Sequence, residues 1–127
     1  MDIAYSITTT KSFNDAEQKV KNAVAEKGFR VLHVHDVQQT FAEKGIQRDP
    51  YKIIEVCNVK YANQALKADP LIGLMMPCKI NLFVENGTTK LTLLKPSLLA
   101  TFFPEAHLGS MAQEIETVLS AVVDAAK

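Results

Sequence analysis

The chain has 127 residues, the length of one ordinary domain, and its 14 basic and 14 acidic side chains give a formal net charge of zero. This balance argues against nucleic acid or an anionic membrane as the main partner, because both favour a clustered basic surface. No apolar run approaches the roughly 18 residues of a membrane span, and no targeting signal follows Met1. We therefore expect a cytoplasmic protein with a single domain over residues 1–127 and with its two cysteines present as thiols.

The first half of the chain predicts strands that alternate with helices. Ser12 is a suitable cap for a helix that Gly28 ends, and Asp36 is a suitable cap for a short helix that Gly45 ends. Apolar, β-branched and aromatic side chains recur with the spacing that these elements require. The predicted strands lie at 3–8, 29–35 and 51–57, and the predicted helices lie at 13–27 and 37–44.

The second half begins with a helix and a hairpin. Asn58 is a good N-cap for the helix, and Pro70 lies just beyond the helix end. Asn86-Gly87 is the strongest short turn signal for a hairpin. The predicted helix lies at 59–68, and the two hairpin strands lie at 78–85 and 88–95.

After a coil or a single helical turn at 96–103, a long helix is predicted from Glu105. Its apolar residues recur on one face at helical spacing. They are Leu108, Met111, Ile115, Val118, Leu119 and Val122. The whole order favours an α+β fold, in which an antiparallel β-sheet packs on one face against helices, with a β-α-β(4)-α-like order and short extra helices.

Cys57 is the residue whose position best suits chemistry. It ends a predicted strand and directly precedes Asn58, the cap of the next helix, and a helix N-terminus lowers the pKa of a nearby thiol. Glu55 shares its strand face and would either raise the pKa of the thiol by its charge or accept the thiol proton. The alternative is a small buried cysteine beside a solvent-facing carboxylate.

Cys78 follows Pro77 and opens a predicted strand, whose alternation places Lys79 on the opposite face. Cys57 and Cys78 are 21 residues apart, which matches no metal-binding or redox spacing. We expect the strands that carry them to be neighbours. The reason is that Glu55 is a charged residue within an apolar strand and therefore needs an oppositely charged partner. Lys79 is the nearest positively charged residue in the two short segments, 55–58 and 77–79, that contain the cysteines.

His33 and His35 share one strand face, about 6.6 Å apart at ~3.3 Å per residue. Two histidines in this arrangement can ligate one metal ion, and Asp36 is nearby. No third ligand is evident, so the pattern favours a solvent-facing pair. We therefore expect no metal and no cofactor, with His33 and His35 as weak metal candidates.

Two motifs and their surroundings carry a resemblance. The motifs are Glu-Val-Cys-Asn at 55–58 and Pro-Cys-Lys at 77–79, and the segment Asp-Pro-Leu-Ile-Gly-Leu lies between them at 69–74. Over nearly its whole length the chain resembles a bacterial and archaeal family known as domain of unknown function 302. The family often has proline at the position of Val59 and arginine at the position of Lys79. Lysine keeps the positive charge of arginine but cannot make the two parallel hydrogen bonds with which a guanidinium binds a carboxylate or phosphate.

The resemblance implies a β-α-β(4)-α fold whose antiparallel sheet curls around helices, and it implies no activity. It marks a set of candidate site residues, because the family motifs fall on them. They are Glu55, Cys57, Asn58, Pro77, Cys78 and Lys79.

Two functions remain open, and whether the protein is an enzyme is undecided. A non-catalytic small-ligand-binding or interaction module is favoured. The chain has no Cys-His-Asn or Ser-His-Asp spacing of a catalytic triad, no phosphate-binding loop and no zinc-binding motif. A sheet curved around a long helix leaves space for a small molecule. The expected lining includes Met75, Met76, Phe102 and Phe103. The alternative is a thiol-based redox or sulfur-handling protein that uses Cys57, with Cys78 as its resolving thiol.

Self-association is a further prediction. Zero net charge gives little repulsion between copies. The apolar segments 71–77 and 98–103 lie outside the regular elements, and small domains often bury such segments in a two-fold interface. We therefore expect a homodimer, although both segments could instead cover a sheet edge of one monomer.

Overall fold

A computed structural model describes all 127 residues. The strands are β1 (Ala4–Thr9), β2 (Arg30–Asp36), β3 (Tyr51–Cys57), β4 (Cys78–Glu85) and β5 (Thr88–Leu94). The α-helices are α1 (Phe13–Glu26), α2 (Val37–Ala42), α3 (Val59–Ala68), α4 (Leu98–Phe102) and α5 (Gly109–Asp124). Short 3-10 helices cover Pro70–Met75 and Pro104–Ala106.

The five strands form one sheet in the order β1-β5-β4-β3-β2, and every neighbouring pair is antiparallel. The predicted α+β class and order of elements are confirmed. Asn86 and Gly87 join β4 to β5 with φ angles of 52° and 76°. A two-residue hairpin turn with positive φ at both positions matches the twist of the strands, which is why this dipeptide predicts the hairpin so well.

One face of the sheet, the inner face, packs against α1 and α5. Alternate strand residues supply its apolar surface, and all of them are fully buried: Ile54, Val56, Ile80, Leu82, Leu91 and Leu93. They belong to one core cluster of 23 buried residues. The predicted apolar face of α5 lies in this core, with Val118 half-buried and the other five residues buried.

The last helix begins later than predicted. Glu105 lies in the 3-10 turn Pro104–Ala106, and α5 starts at Gly109. Between them His107 has a left-handed backbone conformation with φ of 55°, which cannot continue a right-handed helix. The sequence pattern did not indicate this break, because a left-handed residue other than glycine has no strong sequence signal.

The opposite face of the sheet, the outer face, is also partly covered, which corrects the expectation of helices on one face only. The short helix α2 lies beside β3, where Val37, Thr40 and Phe41 face the outer-face residue Ile53 across a groove. The chain returns through Arg48, whose guanidinium lies 5.7 Å from the ring centre of Phe41.

An irregularity in β2 helps to separate the two faces. Its pairing with β3 shifts register between Val31 and His33, as in a β-bulge. Val31 and Val34 consequently both pack against the core cluster, although they are three positions apart. His33 and His35 are left together as exposed residues, as predicted.

Candidate functional site

The register of β3 and β4 brings the two sequence motifs together. Glu55 lies opposite Lys79, and Val56 lies opposite Cys78. The prediction that these strands are neighbours is confirmed. Because successive strand residues point to opposite faces, Cys78 lies on the inner face with Val56, whereas Glu55 and Lys79 lie on the outer face.

On the inner side, the ends of β3 and β4 meet α3 and α5 around a narrow apolar cavity, which we call the thiol cavity. Its volume is about 40 Å³, and eleven of its thirteen lining residues are hydrophobic. The lining residues are Phe29, Val56, Cys57, Asn58, Tyr61, Ala62, Ala65, Met76, Pro77, Cys78, Leu99, Met111 and Ile115. Four of the six candidate site residues therefore line this cavity: Cys57, Asn58, Pro77 and Cys78.

The lining differs from the one expected. Of the four residues predicted to surround a cavity, only Met76 lines the thiol cavity. Phe102 is 57% exposed, and Phe103 packs partly buried against the core. Met75 lines a second small cavity beside Lys95, whose lining also includes Met76 and Cys78. The thiol cavity is smaller than the few hundred cubic ångströms expected.

Asn58 holds the cavity wall in place. Its Oδ1 accepts a hydrogen bond from the backbone N–H of Tyr61 at 3.2 Å, which confirms the predicted cap of α3. Its Nδ2 donates to the backbone oxygen of Gly28 at 3.0 Å. One amide side chain therefore ties the start of α3 to the turn between α1 and β2, and the adjacent Cys57 is fixed between these two anchors.

Burial dominates the electrostatics of both thiols. It raises the pKa of Cys57, and the nearby charge of Arg30 only partly offsets it. It raises the pKa of Cys78 to about 11; the negative charge of a Cys57 thiolate adds to this shift and Lys79 opposes it. The predicted lowering of the Cys57 pKa by the helix N-terminus is therefore not found.

The other two candidate residues line a shallow groove on the outer face, which we call the outer groove. It is lined by Glu55, Lys79, His35, Ile53 and the α2 residues Val37, Thr40 and Phe41, and encloses about 300 Å³. Oε2 of Glu55 lies 3.2 Å from Nε2 of His35. Nζ of Lys79 instead donates to the backbone oxygen of Pro77 at 3.4 Å.

The expected ionic partner of Glu55 is thus corrected. Lys79 is its cross-strand neighbour, but His35 makes the hydrogen bond, and no ion pair within 4.0 Å joins Glu55 to Lys79. Sequence reasoning missed His35 because the contact is diagonal across β2 and β3 and depends on the register shift in β2.

The two histidines pack edge to face, with ring centres 4.3 Å apart. No group of three or more His, Cys, Asp or Glu side chains is arranged to hold a metal ion. Glu55 forms a hydrogen bond with His35 alone, so the carboxylate does not complete a metal site with the two histidines.

Sequence reasoning also missed a buried ionic cluster on the inner face. Glu17 of α1 is 8% exposed, and its two oxygens lie 2.8 Å from Nζ of Lys52 and 2.8 Å from Nζ of Lys21. Burial opposes ionisation of Glu17, but the hydrogen bonds and charges of the two lysines together lower its pKa. The inward position of Lys52 could have been predicted, because Lys52, Ile54 and Val56 are alternate residues of β3 and therefore share the inner face.

Two further residues of the cavity lining, Tyr61 and Met111, were not predicted as site residues. Tyr61 of α3 donates through its hydroxyl to Oε1 of Glu114 on α5 at 2.7 Å, which closes one side of the thiol cavity. Met111 of α5 is buried in the wall. Tyr61 lies three residues after the cap Asn58, so its place in the first turn of α3 can be predicted from the sequence. Its partner Glu114 on α5 cannot, because nothing near Tyr61 in the sequence indicates that contact.

The fold and the motifs together define a small α+β domain of one structural family. The family model described as "Domain of unknown function DUF302" matches residues 5–126, and the chain belongs to this family. The predicted resemblance is therefore confirmed.

Two relatives are similar to this chain, one in structure and one in sequence. The crystal structure of an uncharacterized conserved DUF302 protein from Bacillus stearothermophilus superimposes with a TM-score of 0.93 and 30% identity, and each chain is covered in full. An uncharacterized protein of Aquifex aeolicus (strain VF5) is 28% identical over 105 residues, which is 81% of this chain and 66% of that protein. The match thus spans slightly less than two thirds of the length of that relative. None of the helices has the length and apolar character needed to cross a membrane.

Proposed function

We propose that the protein is a non-catalytic binding module that holds a small ligand in the thiol cavity. The observation that carries the proposal is the convergence of Cys57, Asn58, Pro77 and Cys78 on one apolar cavity. These residues belong to two motifs, at 55–58 and 77–79, that are distant in sequence and that carry the resemblance to the family. Apolar concave sites with a few polar groups are the usual form of a small-molecule site.

The chemistry of the wall supports binding over catalysis. Apart from the two thiols, Tyr61 is the one titratable residue of the lining, and its hydroxyl is already hydrogen-bonded to Glu114. No histidine or carboxylate lines the cavity, so a general acid or base of the usual kind is absent. The raised pKa values of Cys57 and Cys78 also argue against the thiol-redox alternative, which needs an accessible thiolate.

The size of the cavity restricts the ligand. A volume of about 40 Å³ is close to the share of one or two water molecules in the liquid, roughly 30 Å³ each. Drug-sized ligands need roughly 300–1,000 Å³. The ligand is therefore small, consists of few atoms and tolerates contact with carbon and sulfur.

Xenon is a suitable first probe, since dry apolar cavities bind it. The expected result is saturable shifts of the methyl resonances of Val56, Leu99 and Ile115 in carbon-detected spectra under xenon pressure. Ala65→Val should weaken these shifts, because Ala65 lines the cavity and is 3% exposed. Ala23→Val is the matched control, since Ala23 is buried on α1 outside the cavity. Absence of saturable shifts in the unsubstituted protein would remove the proposal.

We also propose that the protein forms a homodimer through the segments 71–77 and 98–103. Three large apolar side chains in these segments are strongly exposed: Leu71 at 60%, Leu74 at 83% and Phe102 at 57%. Sedimentation at micromolar concentration should give twice the chain mass of 14.0 kDa. Leu74→Glu should shift the species to the chain mass. The exposed residue Ile46, at 55%, lies outside both segments, and Ile46→Glu should leave the dimer intact.

A further inference from the structure

The thiol cavity is rich in sulfur. The chain has two cysteines and four methionines, and both cysteines and two of the methionines, Met76 and Met111, line this one cavity. Oxygen and nitrogen side-chain atoms come only from Asn58 and Tyr61, and both residues are already hydrogen-bonded. The groups left available to a ligand are therefore two thiols and two thioethers.

We propose that the ligand of the thiol cavity is a soft monovalent metal ion of the Cu(I) class, bound by the sulfurs of Cys57 and Cys78 with support from the thioethers. The inference rests on the proposed function and names its ligand. Thiolate and thioether sulfur select Cu(I) over the hard cations, which require carboxylate or carbonyl oxygen. A single ion also fits a cavity of about 40 Å³, which excludes most organic molecules.

The ligand set argues against zinc at the same place. Structural zinc takes four Cys, His or carboxylate ligands, and no group of three or more such side chains is present. Cu(I) differs because two thiolates can hold it. The cavity thus has too few ligands for zinc, whereas its two thiols match in number the ligands that a two-sulfur ion needs.

The reaction balances without an oxidant or reductant. Each thiol loses its S–H proton to solvent as its sulfur binds the metal, so one ion displaces two protons and no electron is transferred. The bound unit, one Cu⁺ with two thiolates, carries one net negative charge. High thiol pKa values do not prevent this exchange, because metal binding and deprotonation are coupled and affinity rises with pH.

Two cations are placed to offset that negative charge. Arg30 on β2 lies opposite Cys57 in the strand register, and Lys79, whose side chain lies on the outer face, directly follows Cys78 and opposes the rise in the pKa of that thiol. The cavity is also reachable, because Cys57, Cys78 and Met76 are half-buried and not sealed in the core. Met111, which is 6% exposed, forms the closed end.

The test uses the full chain with both thiols confirmed as reduced by mass spectrometry. Under anaerobic conditions, Cu(I) is offered as its coloured bicinchoninate complex, and loss of the colour reports transfer. The expected result is one copper ion per chain, two protons released in weakly buffered solution, and copper–sulfur scattering in X-ray absorption. Cys57→Ser and Cys78→Ser should each lower the affinity more than the roughly 10–100-fold that loss of a group outside the ligand shell causes.

Two further variants separate the cavity from other copper sites. Met76→Leu keeps the shape of the wall and removes one thioether, and should weaken binding less than loss of either thiol. His35→Gln, in the outer groove, should leave the affinity unchanged. Copper uptake that persists in the Cys57→Ser/Cys78→Ser double variant, or that falls in His35→Gln alone, would overturn the inference.

Xenon distinguishes failure of the inference from failure of the proposed function. Xenon shifts in the cavity without copper transfer would refute the metal ligand and leave the binding module standing. Absence of both would refute both. Copper transfer that Ala65→Val leaves unaffected would place the ion outside the cavity and overturn the inference.

Discussion

Neighbouring residues of the same motifs lie on opposite faces of the β3–β4 pair, where they have different environments. On the inner face, Cys78 lies in a narrow apolar cavity with its pKa raised by burial. On the outer face, Glu55 and Lys79 lie in an open polar groove beside His35. A motif that is contiguous in sequence therefore does not form one site. On β4, strand alternation separates Cys78 from Lys79, and each half must be tested separately.

The sharpest contrast is between two adjacent residues of β4. Ile80 is fully buried on the inner face, whereas Asn81 is half-buried on the outer face and donates to the hydroxyl of Tyr51 at 2.8 Å. Ile80→Ala should lower the free energy of unfolding by about 2–5 kcal/mol, because it leaves a cavity in the core. Asn81→Ala should cost less than about 1 kcal/mol, because it also removes Oδ1, a buried oxygen without a partner. Urea unfolding of both variants checks the comparison, and equal losses would contradict it.

The next effect concerns the charge on the inner face. Glu17→Gln should lower the free energy of unfolding at neutral pH by about 1–3 kcal/mol, because Lys52 loses its charged partner in a largely buried position. The folded-state pKa of Glu17 is lowered. Its ionisation therefore stabilises the fold above the unfolded pKa, roughly 4.3, and this stabilisation is lost as the pH falls through the lower folded value.

Stability measured against pH provides the check on Glu17. The unsubstituted protein should lose stability below about pH 4.3 more steeply than Glu17→Gln. Glu55→Gln serves as the control on the outer face, where Glu55 is paired with a 48%-exposed His35. Parallel acid profiles for the unsubstituted protein and Glu17→Gln would contradict this account.

A smaller effect separates the two functions of Asn58. Asn58→Ala removes both the cap of α3 and the link to Gly28, and should cost about 1–2 kcal/mol in unfolding free energy. Asn58→Asp keeps the acceptor for the Tyr61 N–H and loses only the donor to Gly28, so it should cost less. Thermal unfolding of the two variants ranks them. Equal losses for the two variants would show that the Gly28 link, and not the cap, accounts for the stabilisation by Asn58.

The smallest effect is expected in the outer groove. The side chain of His35 is 48% exposed and that of Glu55 is 21% exposed. Pairs at this exposure contribute roughly 0–1 kcal/mol, because solvent screens them. His35→Gln should therefore change the urea midpoint only slightly and leave xenon binding in the thiol cavity unchanged. A loss of xenon binding in this variant would show that the two faces are coupled.

The sequence predicted those features that depend on local chemistry. Asn86-Gly87 fixed the hairpin because only a few residues accept positive φ at both positions, and Asn58 was recognised as a cap from its place between strand and helix. The pairing of the two cysteine-bearing strands was predicted from the need of Glu55 for a charged partner within an apolar strand, and the strands are indeed neighbours, with Glu55 opposite Lys79.

Long-range features were predicted less well. The Glu55–His35 contact depends on a register shift in β2, and the position of α2 on the outer face depends on the return of the chain through Arg48. The lowering of the Cys57 pKa that a helix N-terminus favours is not found, because burial raises the pKa, and burial depends on contacts that the local sequence does not show. Met111 belongs to the cavity for the same non-local reason.

The central claim is that Cys57 lines a binding cavity and is not a reactive nucleophile. Its most direct test is the rate of Cys57 alkylation by iodoacetamide as a function of pH, in the Cys78→Ser variant so that a single thiol reports. Because burial raises the pKa of Cys57, half of the maximal rate should fall above the ordinary cysteine value of about 8.5. A midpoint well below that value, raised again by Arg30→Gln, would show a stabilised thiolate and would contradict the account.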